Sequence, residues 1–91
     1  MKLSLTHEAT ITRAEFLRIL PAATNELDVR EVDGWFLGNG WSIRLTPIAA
    51  LKIGIVQLER HRVEIEFDGL TVEEQDNFMQ RFTLYYQRGG G

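Results

Sequence analysis

Two Thr-x-x-Glu boxes, Thr12 to Glu15 and Thr71 to Glu74, enclose a long stretch in which apolar and polar residues alternate. Such a box starts a helix: the threonine hydroxyl accepts from a backbone N–H three residues on, and the glutamate reaches back. Alternation at period two is the mark of a strand with one buried face. Two helix starts on either side of β pattern constrain the fold more than any other feature here.

Before the first box, Met1, Leu3 and Leu5 alternate with Lys2, Ser4 and Thr6, which predicts an opening strand. Ile11 and Phe16 flank Thr12 at the spacing of a hydrophobic staple. Phe16, Leu17, Ile19 and Leu20 give the first helix a broad apolar face. Pro21 removes a backbone donor and crowds the preceding turn, so the helix is expected to last roughly eight to ten residues, with Ala22 and Ala23 fraying.

The β pattern runs from Leu27 to Phe67. Asp33-Gly34 and Gly38-Asn39-Gly40 predict turns, the Asn-Gly pair suiting a type I′ hairpin. Trp41, Ile43 and Leu45 form one strand face, and Pro47 belongs at a strand end or on an edge. Ile53, Ile55, Val56 and Leu58 read as a further strand whose phase slips, which a bulge near Gly54 or Ile55 would explain. Glu59-Arg60-His61 reads as a polar connection, and Val63, Ile65 and Phe67 as the inward face of the last strand. In the second helix, Val72, Phe78, Met79, Phe82, Tyr85 and Tyr86 fall on one side of the wheel. That helix is expected to reach about Gln87, with Arg88 complementing its C-terminal carbonyls.

The predicted order is β-α-β-β-(β)-β-β-α. Short turns between consecutive strands make the sheet mostly antiparallel. The expected architecture is an α+β two-layer sandwich of four to six strands with both helices on one face. Residues 1–88 form a single domain in this reading, and 89–91 a flexible glycine tail.

Composition narrows the function classes. The chain of 91 residues contains no cysteine, which excludes a disulfide framework, a thiol nucleophile and a cysteine metal site. Its net charge is −3. Phosphate recognition needs clustered positive charge, so the single Arg88-Gly89-Gly90 does not point to nucleic acid. No apolar run approaches the ~20 residues of a membrane span, and no apolar stretch of a secretory signal is present. The expected setting is therefore the cytoplasm, without membrane or nucleic-acid partners and without a cofactor. The eight arginines against two lysines reflect a G+C-rich genome more simply than a binding role.

Few residues suggest chemistry. Arg60-His61-Arg62 could hold an anion, although a solvated charged loop is the simpler explanation. Glu64, Glu66 and Asp68 share a spacing that suits acid–base work or a hard cation, or pairing with arginines such as Arg44 on a wet sheet face. Two isolated histidines, His7 and His61, make no metal motif. Trp35 and Trp41 flank the Gly-Asn-Gly turn, where they could meet across a hairpin or line a binding surface. Leu84 and Phe36 are out of phase with their neighbours and would form an interaction patch if adjacent.

The favoured expectation is a small bacterial, non-enzymatic accessory module that binds a protein partner or itself as a homodimer. Its candidate binding residues are Trp35, Trp41, Arg44, Arg60, His61 and Arg62, with no catalytic or metal residue. A second reading is a small-ligand binder with a pocket between helix and sheet lined by Trp35, Trp41, Phe78, Phe82, Tyr85 and Tyr86. A third is an enzyme using His61 with Glu64 or Glu66.

Overall fold

Alternating residues pair into strands and capped apolar faces fold over them in the computed structural model, which describes residues 3–89. The elements are β1 (Leu3–Ala9), α1 (Arg13–Thr24), β2 (Arg30–Val32), β3 (Trp35–Leu37), β4 (Trp41–Ile53), β5 (Val56–Phe67) and α2 (Val72–Gly89). One five-stranded sheet runs β1-β5-β4-β3-β2, antiparallel at every pairing. Both helices pack on one face, giving the expected α+β two-layer sandwich. Met1 and the last two glycines of the tail lie outside the described residues, as does the Arg88 side chain; Gly89 closes α2.

The buried sheet face carries Trp41, Ile43, Val63, Ile65 and Phe67. From α1, Phe16, Ile19, Leu20 and Ala23 meet it, and from α2, Phe82. The ring of Phe16 stacks on Tyr86 with centroids 4.7 Å apart, and Phe78 meets Phe67 edge-on at 5.2 Å. The Tyr86 hydroxyl donates to Phe16 O at 2.8 Å, tying α2 to α1, and burial pushes its pKa well above the ordinary value. Arg81 Nε donates to Ala22 O near the end of α1.

Four local expectations are corrected. Pro21 does not end α1, which continues to Thr24 and closes on Asn25 in the left-handed region. Ala23 and Thr24 are buried there, and the Thr24 hydroxyl donates to Leu20 O at 2.8 Å. That burial and the backbone N–H groups of Asn25 and Glu26, which both donate to Pro21 O, hold the last turn against the proline's cost. The type I′ geometry falls at Asp33-Gly34, both at positive φ, whereas only Gly40 of the Asn39-Gly40 pair is so. Val72 shares the apolar side of the wheel but is exposed, because it is the first residue of α2. Phe36 is buried against Phe16, so it makes no surface patch with the exposed Leu84.

The largest correction concerns residues 53–61. Gly54-Ile55 is a two-residue turn, not a bulge, and β5 runs unbroken from Val56 through Glu59-Arg60-His61 to Phe67. Gly54 has φ +59 and Ile55 does not share the positive φ, the pattern of a type II′ hairpin turn. The bulge lies earlier, between Ile48 and Leu51. Pro47 sits within β4 beyond the reach of β3, where the strand has β5 as its sheet neighbour and an open edge.

Candidate interaction surface

The pairing registers leave part of the sheet unaccompanied. β1 pairs with β5 from His61 to Phe67, and β3 pairs with β4 from Ser42 to Arg44. Beyond those limits β4 and β5 continue as a two-stranded ribbon to the Gly54-Ile55 turn. A strand of 13 residues is about 43 Å long, which accounts for the molecule's 45 × 26 × 22 Å dimensions. The ribbon is an arm.

One face of this arm is apolar, and the bulge makes it so. Along β5, His61, Val63, Ile65 and Phe67 point to the helices, so Arg60, Leu58 and Val56 point to the open face. Residues directly opposite one another share a face. Ile48 pairs with Arg60, Leu51 with Leu58 and Ile53 with Val56. Between these pairs Ala49 and Ala50 together oppose Glu59, and this extra residue moves Leu51 and Ile53 onto the open face. Lys52, Gln57 and Glu59 take the reverse face. The apolar set remains in water: Leu51 is 41% exposed, Ile53 59%, Val56 51% and Leu58 37%, while Ile55 at the tip is fully exposed.

Nearer the body the same open face is charged. Arg44 donates to both carboxylate oxygens of Glu64 at 3.1 Å and lies over the Trp35 ring at 4.9 Å. Glu8 accepts from Arg60 at 3.1 Å, with Arg62 at 3.9 Å. These are solvent-exposed pairs, each worth about 0–1 kcal/mol.

The six candidate residues thus divide between the two sides of the sheet. Trp35, Arg44, Arg60 and Arg62 are on the open face, whereas Trp41 and His61 are buried under the helices. The two indoles do not approach across the turn. Trp41 instead gives its indole N–H to Glu26, whose other carboxylate oxygen accepts from Asn39 N at 2.8 Å. Arg60 and Arg62 turn outward to Glu8, while His61 Nδ1 lies 2.8 Å from Ile11 O. A carbonyl only accepts, so that ring nitrogen carries the hydrogen. The three residues therefore do not converge on an anion. His61 is likewise separated from Glu64 and Glu66 by the sheet itself, so they form no acid–base pair.

A second feature lies between the helices and β1. A half-open cavity of about 210 Å³ is bounded by β1, the start of α1 and the end of α2. Of the six aromatics expected to line a pocket, Phe82 and Tyr86 do so here, joined by Phe16 and His7.

The sequence does not mark the arm as a surface, because a run such as Ile53 to Leu58 looks alike in a core strand and in an exposed ribbon. The available signal was the mirror arrangement of Leu51 and Ile53 with Val56 and Leu58 about Gly54-Ile55, the pattern of a hairpin. No helix among the described residues is long and apolar enough to cross a membrane. No protein-family model matches the chain, and no curated protein matches it.

Proposed function

We propose that the protein is a non-enzymatic interaction module whose β4–β5 arm docks, through its apolar face, on a second copy of the same chain. The observation that carries this reading is the bulge between Ile48 and Leu51, which gathers apolar side chains on one exposed side of an otherwise unsupported ribbon. A lone two-stranded hairpin is marginally stable in water, so such a face gains from being covered.

A second copy fits for two reasons. Two amphipathic ribbons stacked face to face, about 10 Å apart, form a small β-sandwich about a two-fold axis. The inner faces of that sandwich carry no charge between Leu51 and Leu58, while Lys52, Gln57 and Glu59 stay wet on the outside. Each face measures roughly 20 by 10 Å, which buries less than the ~1,200–2,000 Å² of a standard stable interface. The dimer is accordingly weak and concentration-dependent.

Sedimentation velocity from ~10 µM to ~1 mM tests this, that range spanning affinities typical of small interfaces. The expected result is a monomer at the low end and a dimer growing toward the high end. The variant Leu58→Glu, with an unchanged melting temperature, is expected to remain monomeric throughout. A wild-type monomer at the highest concentration, or a Leu58→Glu protein that dimerises as well as wild type, overturns the assignment of the arm to self-association.

A further inference from the structure

The half-open cavity of about 210 Å³ is built differently from the arm and does not depend on it. Its walls are Ala9 from β1, Phe16 from α1, Val63 from β5 and Phe82 from α2. Such a cavity is smaller than the ~300–1,000 Å³ that accommodates drug-sized ligands. It exceeds the ~150 Å³ of an apolar engineered cavity that takes up benzene. The volume therefore suits one six-membered ring with a small substituent.

Its polar groups restrict the ligand further. Among the described residues no lining side chain is formally charged. His7 lines the cavity with its ring edge-on to Phe82 at 6.4 Å, and burial holds its pKa below the ordinary value. The imidazole is thus neutral at pH 7.5, with one donor and one acceptor nitrogen. The Tyr86 hydroxyl hydrogen is already given to Phe16 O, so its oxygen can only accept. Among the described residues an anion would find no counter-charge there, and neither would a cation. The neutral side chains of Thr10 and Gln87 complete the polar lining, and together these groups match a ligand hydroxyl, which accepts from one partner and donates to another.

The geometry points to a binding site for a small neutral aromatic ligand of the phenol class, its ring between Ala9, Val63 and Phe82 and its hydroxyl beside His7. No dimer is required, so the failure of either reading leaves the other standing.

Phenol is the probe, titrated into the full chain at pH 7.5 and followed by two-dimensional NMR. Saturable shifts are expected at Ala9, Val63 and Phe82, with a Kd of ~0.1–1 mM, ordinary for so few ligand atoms. Intermolecular NOEs are expected between the ring protons and the Ala9 and Val63 methyl groups. Benzoate, with the same ring but a negative charge, is expected to bind at least tenfold more weakly. The Ala9→Phe variant fills the space and is expected to lose the shifts while keeping a dispersed spectrum. Should that variant not fold, the NOEs in the wild-type chain decide. Non-saturating shifts spread over the surface, absent NOEs, or benzoate binding as tightly as phenol overturns the assignment.

Discussion

Trp41 shows how a single residue is fixed from several sides. Its indole N–H is held by Glu26, its ring lies 5.6 Å from that of Phe78, and its six-membered ring covers the backbone of Gly38. A Cβ built on Gly38 would fall 2.0 Å from Trp41 Cε2, inside any permissible contact. Gly38 is required there by the approach of the indole rather than by backbone conformation. Gly38→Ala is therefore expected to cost about 2–4 kcal/mol, because either the buried indole or the turn must shift. Urea titration checks the figure, and a loss under ~0.5 kcal/mol would show that Trp41 is not locked. The sequence presented Gly38 as a turn residue; its packing role depends on Glu26 and Phe78, which arrive from other elements.

The two helices illustrate what a local motif decides and what it leaves open. Both boxes cap as expected: Glu15 N donates to Thr12 Oγ1, and Glu74 N to Thr71 Oγ1, each at 3.1 Å. Only the second is reciprocal, with Thr71 N donating to Glu74 Oε1 at 2.9 Å. Glu15 turns instead to Arg18 on the next turn of its helix. Thr71→Ala is expected to cost about 1 kcal/mol in a denaturant titration. The backbone N–H and then the hydroxyl of Thr71 hold the Glu74 carboxyl below its ordinary value of 4.5. A carboxylate with a lowered pKa stabilises the fold above its unfolded-state value, and that stabilisation fades as pH falls through the folded-state value. Glu74→Gln is thus expected to be destabilising at pH 7 and indistinguishable from wild type once both states are protonated, at about pH 2. A stability difference that persists undiminished into acid would remove Glu74 from the cap.

At the scale of the whole molecule there is a packed body and an arm, and their energetics differ. Phe82 is buried among Phe16, Phe78 and Tyr86. Phe82→Ala is expected to cost about 3–5 kcal/mol, enough to threaten a domain of ordinary stability, ~5–15 kcal/mol. The arm contributes no residue between Ala49 and Glu59 to the core. Replacing residues 49–59 with Asn-Gly, a loop that joins Ile48 to Arg60, is expected to leave the melting temperature within ~4 °C, a change worth no more than about 1 kcal/mol. The same shortened protein is expected to stay monomeric at concentrations where the full chain dimerises. Calorimetry and sedimentation on one sample measure both outcomes.

Much of the body was legible in the sequence, because its signals act over a few residues. The capping boxes, the staple of Ile11 and Phe16, the alternation of Val63, Ile65 and Phe67, and the α+β class all follow from local spacing. Pro21 misled because its local cost is overridden by burial of Ala23 and Thr24, which the helix cannot foresee. The candidate surface was largely illegible. Trp35, Arg44, Arg60 and Arg62 are on the open face, but Trp41 and His61 are not, and strand parity assigns these sides only once the registers are known. The sequence by itself determined where both helices start and which strand residues alternate inward, since capping and the two- and 3.6-residue periods are local, but not how far α1 and β5 extend. The tertiary structure alone decided where β1 and β3 stop pairing, and hence that an arm exists and which of its faces is bare. Those limits depend on the different lengths of strands distant in sequence, and a buried apolar strand and an exposed one look the same until their neighbours are in place.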